Sequence, residues 1–159
     1  GREIGELAES LGRGGIIARV PTNSGILDEE FESADHVFPA HDHRKFRDRD
    51  WLVYGLAKNE VTRPLARRLG LSLRQFALRW LASQPMLVSV EPNLLSEADI
   101  DEFAAACDAP DLPRDVLDEV ETLYANDFYL GPAAHPCDMK SSVSPTGAVR
   151  SGRGEAVGV

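Results

Sequence analysis

The sequence is short of several things, and each shortage narrows what the chain is. Cysteine occurs twice, at Cys107 and Cys137, too few for the disulfide framework of a small secreted domain. Both thiols suit a reducing compartment. The opening GREIGELAES has no apolar stretch of the signal-peptide kind, so the expected location is the cytoplasm. No apolar run approaches the roughly 20 residues that a membrane-spanning helix needs. Positive charge is scarce: 17 Lys and Arg face 26 Asp and Glu, for a net charge of −9. No basic run offsets this, so neither nucleic acid nor a membrane is an expected partner. The first residue is Gly1 rather than Met, and helical periodicity starts at once. The expectation is therefore a fragment or a processed product.

What is present suits one domain with a real core, since 43% of the 159 residues are hydrophobic. Ile4, Leu7, Ala8 and Leu11 fall at helical spacing over 3–11, and Gly12, Gly14 and Gly15 supply a turn. IIARV over 16–20 reads as a buried strand that Pro21 stops. Residues 21–50 hold three of the four histidines and show no sustained period, a length of loop that is usually functional or disordered. Residues 51–69 are helical through Trp51, Leu52, Leu56, Val61, Leu65 and Leu69, with Pro64 expected to kink or restart the helix and Thr62 as its new cap. Ser72 and Gln75 have capping-box spacing and open a helix that ends before Pro85. MLVSV over 86–90 is the second strand. Ser96 and Asp99 mark a helix reaching about Cys107, and Pro113 starts a last one carrying Val116, Leu117, Val120, Leu123 and Tyr124. Beyond it, residues 131–159 are rich in Gly, Ala, Ser and Pro, so the part from 126 to 159 is expected to be a mostly disordered tail. Trp51, Phe76 and Trp80 are expected in the core. Alternating helix and strand indicates an α/β protein. Two parallel strands, however, make no stable sheet alone, so either another segment completes it or the chain is less regular than its pattern.

Three stretches resemble the aldo-keto reductase family in order and spacing: IIARVPTNSGIL (16–27), LSLRQFALRWLASQPMLVSVEPN (71–93) and SEADIDEFAAACDAPDLPRDVLDEVETLY (96–124). FPAHDHRKF (38–46) is similar to a long loop in one subgroup. The resemblance covers residues 1–125. It implies that the chain is the C-terminal portion of a (β/α)8 TIM barrel, with few parallel strands under covering helices. It implies an oxidoreductase that binds NADP, with NAD as the alternative, and acts on a small carbonyl substrate once an N-terminal half is supplied.

The positions that the resemblance assigns to the cofactor are Arg19, Pro21, Asn23, Ser24 and Gly25 after the first strand, and Asn93, Ser96 and Asp99 after the second. Gly25 lets backbone approach a phosphate, and Asn23 and Ser24 can donate to it; an ordinary Ser-Gly turn is the competing reading. Arg19 stands where the family often has a ring-stacking Tyr, and it could instead pair with a carboxylate. Glu91-Pro92-Asn93 replaces the family's Pro-Gly-Ala, and Asp99 and Phe103 replace its Gln and Asn. Asp99 and Glu102 should repel a 2′-phosphate unless a cation intervenes. Tyr54, Tyr124 and Tyr129 match none of the family's Tyr, Lys, Asp and His catalytic set, so the isolated chain is expected to be inactive. The second functional expectation is a non-catalytic half-barrel that associates with itself or a partner through open strand edges.

His36, His41 and His43 beside Asp35 and Asp42 read as solvated or ion-paired residues rather than a metal site, with His43 and Arg44 near a substrate entrance. His135 and Cys137 read as accidental neighbours rather than a Cys–His nucleophile.

Overall fold

A computed structural model of the chain describes residues 2–12, 14–130, 141–143, 149–151 and 156–157. Helix α1 (Arg2–Ser10) leads through the glycine turn into strand β1 (Ile16–Arg19). A long segment follows, with one 3-10 turn at His43–Phe46. Then come α2 (Arg49–Arg68), α3 (Leu73–Ala82), β2 (Leu87–Glu91), α4 (Glu97–Asp108) and α5 (Arg114–Ala125). Strands β1 and β2 are adjacent and parallel, with Ile16 against Leu87 and Arg19 against Glu91. Their carboxyl ends therefore lie side by side, and the turns at 20–25 and 92–96 leave from the same edge.

Local chemistry explains most element boundaries. Ser72 caps α3 by accepting from the Gln75 amide while Gln75 returns a bond to the Ser72 amide. Ser96 and Asp99 do the same for α4. Of the kink or restart expected at Pro64, the restart does not occur: α2 is one element that includes Pro64. Thr62 is not a cap but donates its hydroxyl back to Lys58 O at 3.0 Å within the helix.

Two clusters form the core. Leu65 and Ala66 of α2, Leu73 and Phe76 of α3, Leu112 and Val116 make the first. Ile26, Phe31, Trp51 and Leu52 make the second. Each fully buried apolar side chain of this size contributes about 1.5–3 kcal/mol before entropy is counted. The second cluster shows that the segment at 21–50 is packed although it has no regular period: Ile26 is 2% exposed and Phe31 5%.

On the other side the strands stay open. Ile17 is 61% exposed and Val88 68%, as are most apolar side chains of α1, including Ile4 and Leu7. Sequence periodicity assigned these residues to a buried face, but no described residue covers them.

Asp127–Tyr129 forms a 3-10 turn, and β3 (Ser141–Val143), β4 (Val149–Ser151) and β5 (Ala156–Val157) pair antiparallel. His135 and Cys137 lie outside the described residues.

Candidate functional site

The turn after β1 is shaped by left-handed backbone. Val20, Asn23 and Ser24 have φ of 51°, 52° and 55°, and Gly25 has 100°. A β-branched residue in this region costs on the order of 1–3 kcal/mol and persists only where its surroundings enforce it. Here the Val20 amide donates to Glu91 O at 3.2 Å, and its carbonyl accepts from the Asn23 amide at 3.1 Å. Pro21, half-buried, fixes the chain between them. Thr22 is buried and donates to Asp28 Oδ2 at 2.7 Å.

The following segment then fastens each residue of the turn. Trp51 Nε1 donates to Asn23 Oδ1 at 3.1 Å. Arg47 Nη2 donates to Ser24 Oγ at 3.0 Å, and its guanidinium lies 4.6 Å from the Trp51 ring centre. Arg44 Nη1 donates to Ser24 O at 3.1 Å and pairs with Glu30 at 2.6 Å, while its other nitrogens grip Asp42. Arg44 also stands over the rings of Phe31 and Phe38, and His36 packs edge-on to both rings. The Arg44 hydrogen bonds hold the Asp42 carboxyl at a pKa of about 2. So Arg44, read from sequence as part of a substrate entrance, is engaged in holding the turn.

Gly25 has a more specific role than permitting a turn. A Cβ there would sit 2.8 Å from Arg44 Nη1 and from the Glu30 carboxylate. The backbone does make a close approach to an anion, and in this structure the anion is Glu30. The amides of Ser24 and Gly25 have no acceptor among the described residues.

Arg19 pairs with Glu91 at 3.0 Å, with both side chains exposed. Of its two expected roles, the carboxylate partner is the one this geometry displays. Beyond β2, Asn93 is exposed. Ser96 and Asp99 are engaged with each other: Asp99 Oδ2 accepts from the Leu95 and Ser96 amides at 3.0 and 2.9 Å. A cation does intervene at Asp99. Arg74 Nη1 pairs with Asp99 at 2.6 Å and Glu102 at 3.1 Å, and Nε pairs with Asp28 at 2.6 Å. The Leu95 amide first, then Arg74, hold Asp99 at a pKa of about 2. Burial pushes Asp28 the other way, upward, against Thr22 and Arg74. The Arg74 network thus ties the first turn to the start of α4. It brings Asp28 and Asp99 together, while Arg19 stands apart on Glu91.

The sequence profile of the Aldo/keto reductase family matches residues 2–125. The chain belongs to the aldo/keto reductase family. It is 31% identical over 114 residues to a probable voltage-gated potassium channel subunit beta of Oryza sativa subsp. japonica, covering 69% of this chain and 35% of that protein. A protein of the same description from Arabidopsis thaliana is 30% identical over 112 residues, covering 67% and 34%. This aldo/keto reductase chain spans about a third of the length of the curated relatives it matches.

In this aldo/keto reductase chain, Arg47, Arg74 and Glu30 are the residues that sequence reasoning missed. A signal existed for Arg47, because FPAHDHRKFRDRDW concentrates cations in a chain of net charge −9. None existed for Arg74 or Glu30, whose partners lie on distant segments. Among the described residues, no helix is long and apolar enough to cross a membrane.

Proposed function

We propose that this chain supplies the cofactor-side portion of a (β/α)8 barrel oxidoreductase, and that the turn at 23–25 holds the pyrophosphate of a nicotinamide nucleotide. One observation carries the reading: an anion, the Glu30 carboxylate, already lies against Gly25 and on Arg44. Arg47, bonded to Ser24 Oγ, and the Ser24 and Gly25 amides, with no acceptor among the described residues, belong to the same turn. A phosphate displacing Glu30 would meet the same donors. The family's nucleotide chemistry, hydride exchange with a small carbonyl or alcohol, would need the catalytic Tyr, Lys, Asp and His from another chain or segment. The isolated chain is therefore inactive.

The residues fit the pyrophosphate better than a 2′-phosphate. Asn93, Ser96 and Asp99 were assigned to the adenosine end, but the Ser96–Asp99 cap occupies its own donors. Asp28, Asp99 and Glu102 outnumber Arg74 there. NAD should thus bind at least as tightly as NADP. Calorimetric titration of the chain with NADH and NADPH tests both statements. Glu30→Gln should tighten binding severalfold and Arg47→Ala should weaken it about tenfold, the loss of one charge-assisted contact. Wild-type affinity unaltered by either change would defeat the assignment.

The exposed Ile17 and Val88 favour a second reading, in which the open sheet joins a second copy or a partner without catalysis. A stable dimer in light scattering, with no heat on nucleotide titration, would select it. The compartment proposed for either reading is the cytoplasm.

A further inference from the structure

Two turns leave the carboxyl ends of β1 and β2, and a side chain belonging to neither holds both. Arg74, in the first turn of α3, directs Nε to Asp28 Oδ1 at 2.6 Å and Nη1 to Asp99 Oδ1 at 2.6 Å. Nη1 also reaches Glu102 at 3.1 Å, and the guanidinium lies 5.2 Å from the ring centre of the buried Phe103. Each aspartate carries the contact further. Asp28 Oδ2 accepts from the Thr22 hydroxyl, and Asp99 Oδ2 accepts from the Leu95 and Ser96 amides. An unbroken path of hydrogen bonds therefore runs from Thr22 through Asp28, Arg74 and Asp99 to Leu95. The Arg74, Asp28 and Asp99 side chains are 17%, 12% and 16% exposed, so water screens these pairs less than it screens Arg19 with Glu91. A planar guanidinium presents its nitrogens at fixed angles. It therefore sets the spacing of the carboxylates it bridges, which a point charge does not.

We propose that Arg74 is a positioning residue for nucleotide binding: it holds the two turns at one spacing, so that a ligand long enough to touch both finds them in place. This role rests on the reading of residues 23–25 as a pyrophosphate site. Nε and Nη1 are committed to carboxylates, so Arg74 acts through the turns and not on the ligand. The second turn offers Asn93 and the exposed side chains of Leu94 and Leu95 to whatever extends beyond the pyrophosphate. Turns ordered beforehand spare the ligand the cost of fixing them on binding. A ligand confined to the first turn gains nothing from the spacing.

The test titrates the whole 159-residue chain by calorimetry with NADH and with symmetrical dimethyl pyrophosphate, which has the same charged core but ends at the first turn. Wild type should bind NADH the more tightly. The readout is the ratio of the two affinities in wild type, Arg74→Met and Asp28→Asn. Arg74→Met should lower the ratio about tenfold, the cost of ordering a turn on binding. Asp28→Asn should lower it in the same sense. One variant removes a positive charge and the other a negative one, so an electrostatic effect alone would move them in opposite directions. Loss of folded protein would leave the ratio unchanged. The role is overturned by an unchanged ratio in either variant, by opposite changes, or by a wild type that gains nothing from the longer ligand. Each of these, with dimethyl pyrophosphate bound, leaves the reading of 23–25 standing. A wild type that does not bind dimethyl pyrophosphate overturns that reading and the role of Arg74 with it. Should Arg74→Met fail to fold, Asp28→Asn, which keeps an acceptor for Thr22, decides alone.

Discussion

Asp42 and Asp99 both have carboxyls held at a pKa of about 2, below their ordinary 3.8. A carboxylate with a depressed folded pKa adds stability above its unfolded pKa and loses it as pH falls through the folded one. Both groups therefore favour the fold above pH 3.8 and stop doing so near pH 2. Urea midpoints should fall across that window, and Asp42→Asn should shrink the fall. Equal slopes for the wild type and this variant would refute the linkage. Asn59 makes a sharper prediction. It is 1% exposed and satisfies Ile26 O. Asn59→Ala leaves that carbonyl with only the 3.3 Å bond from the Glu29 amide and opens a gap beside it, for a loss of about 2–3 kcal/mol in denaturant unfolding. Asn59 was legible in outline, since it lies seven positions from Leu52 on the apolar stripe of α2. Its partner was not, because Ile26 belongs to a segment without periodicity.

At the scale of the element, α2 and α3 show two opposite uses of local chemistry. The α3 capping box was readable from Ser72 and Gln75 alone, because it joins atoms three residues apart. Ser72→Ala should lower stability by about 1 kcal/mol. In α2, Gly55 looks like a weak point that alanine would repair, with a propensity gain of about 1 kcal/mol. The structure reverses the sign. A Cβ there would lie 2.9 Å from Ile26 Cδ1 and 3.2 Å from two further Ile26 carbons, and Ile26 is itself buried. Overpacking of this kind costs about 1–3 kcal/mol, so Gly55→Ala should lower the urea midpoint rather than raise it. The helix does not restart at Pro64 for a related reason. A missing backbone bond is a local loss, while α2 is held by burial of Trp51, Leu52, Leu65 and Ala66 along its length.

For the whole molecule, the decisive feature is the pair of parallel strands with an uncovered face. Ile17→Lys and Val88→Lys should change the stability of the isolated chain by less than about 0.5 kcal/mol, because both sites are already solvent-exposed. The same substitutions should abolish association with a matching N-terminal half or with a second copy. Sedimentation of wild type and variants separates these effects. Retained assembly in the lysine variants would mean that the open face is not the one used.

The sequence by itself determined the elements whose causes are short-ranged: the two capped helices, the two short strands and the glycine turn between α1 and β1. Periodicity, caps and spacing act over a few residues and can be read in one dimension. Tertiary structure alone decided which charges meet. Arg44 on Glu30, Arg74 on Asp28 and Asp99, and Trp51 on Asn23 link positions 14 to 46 residues apart. Electrostatic and hydrogen-bond partners follow distance in space, and chain order does not encode it.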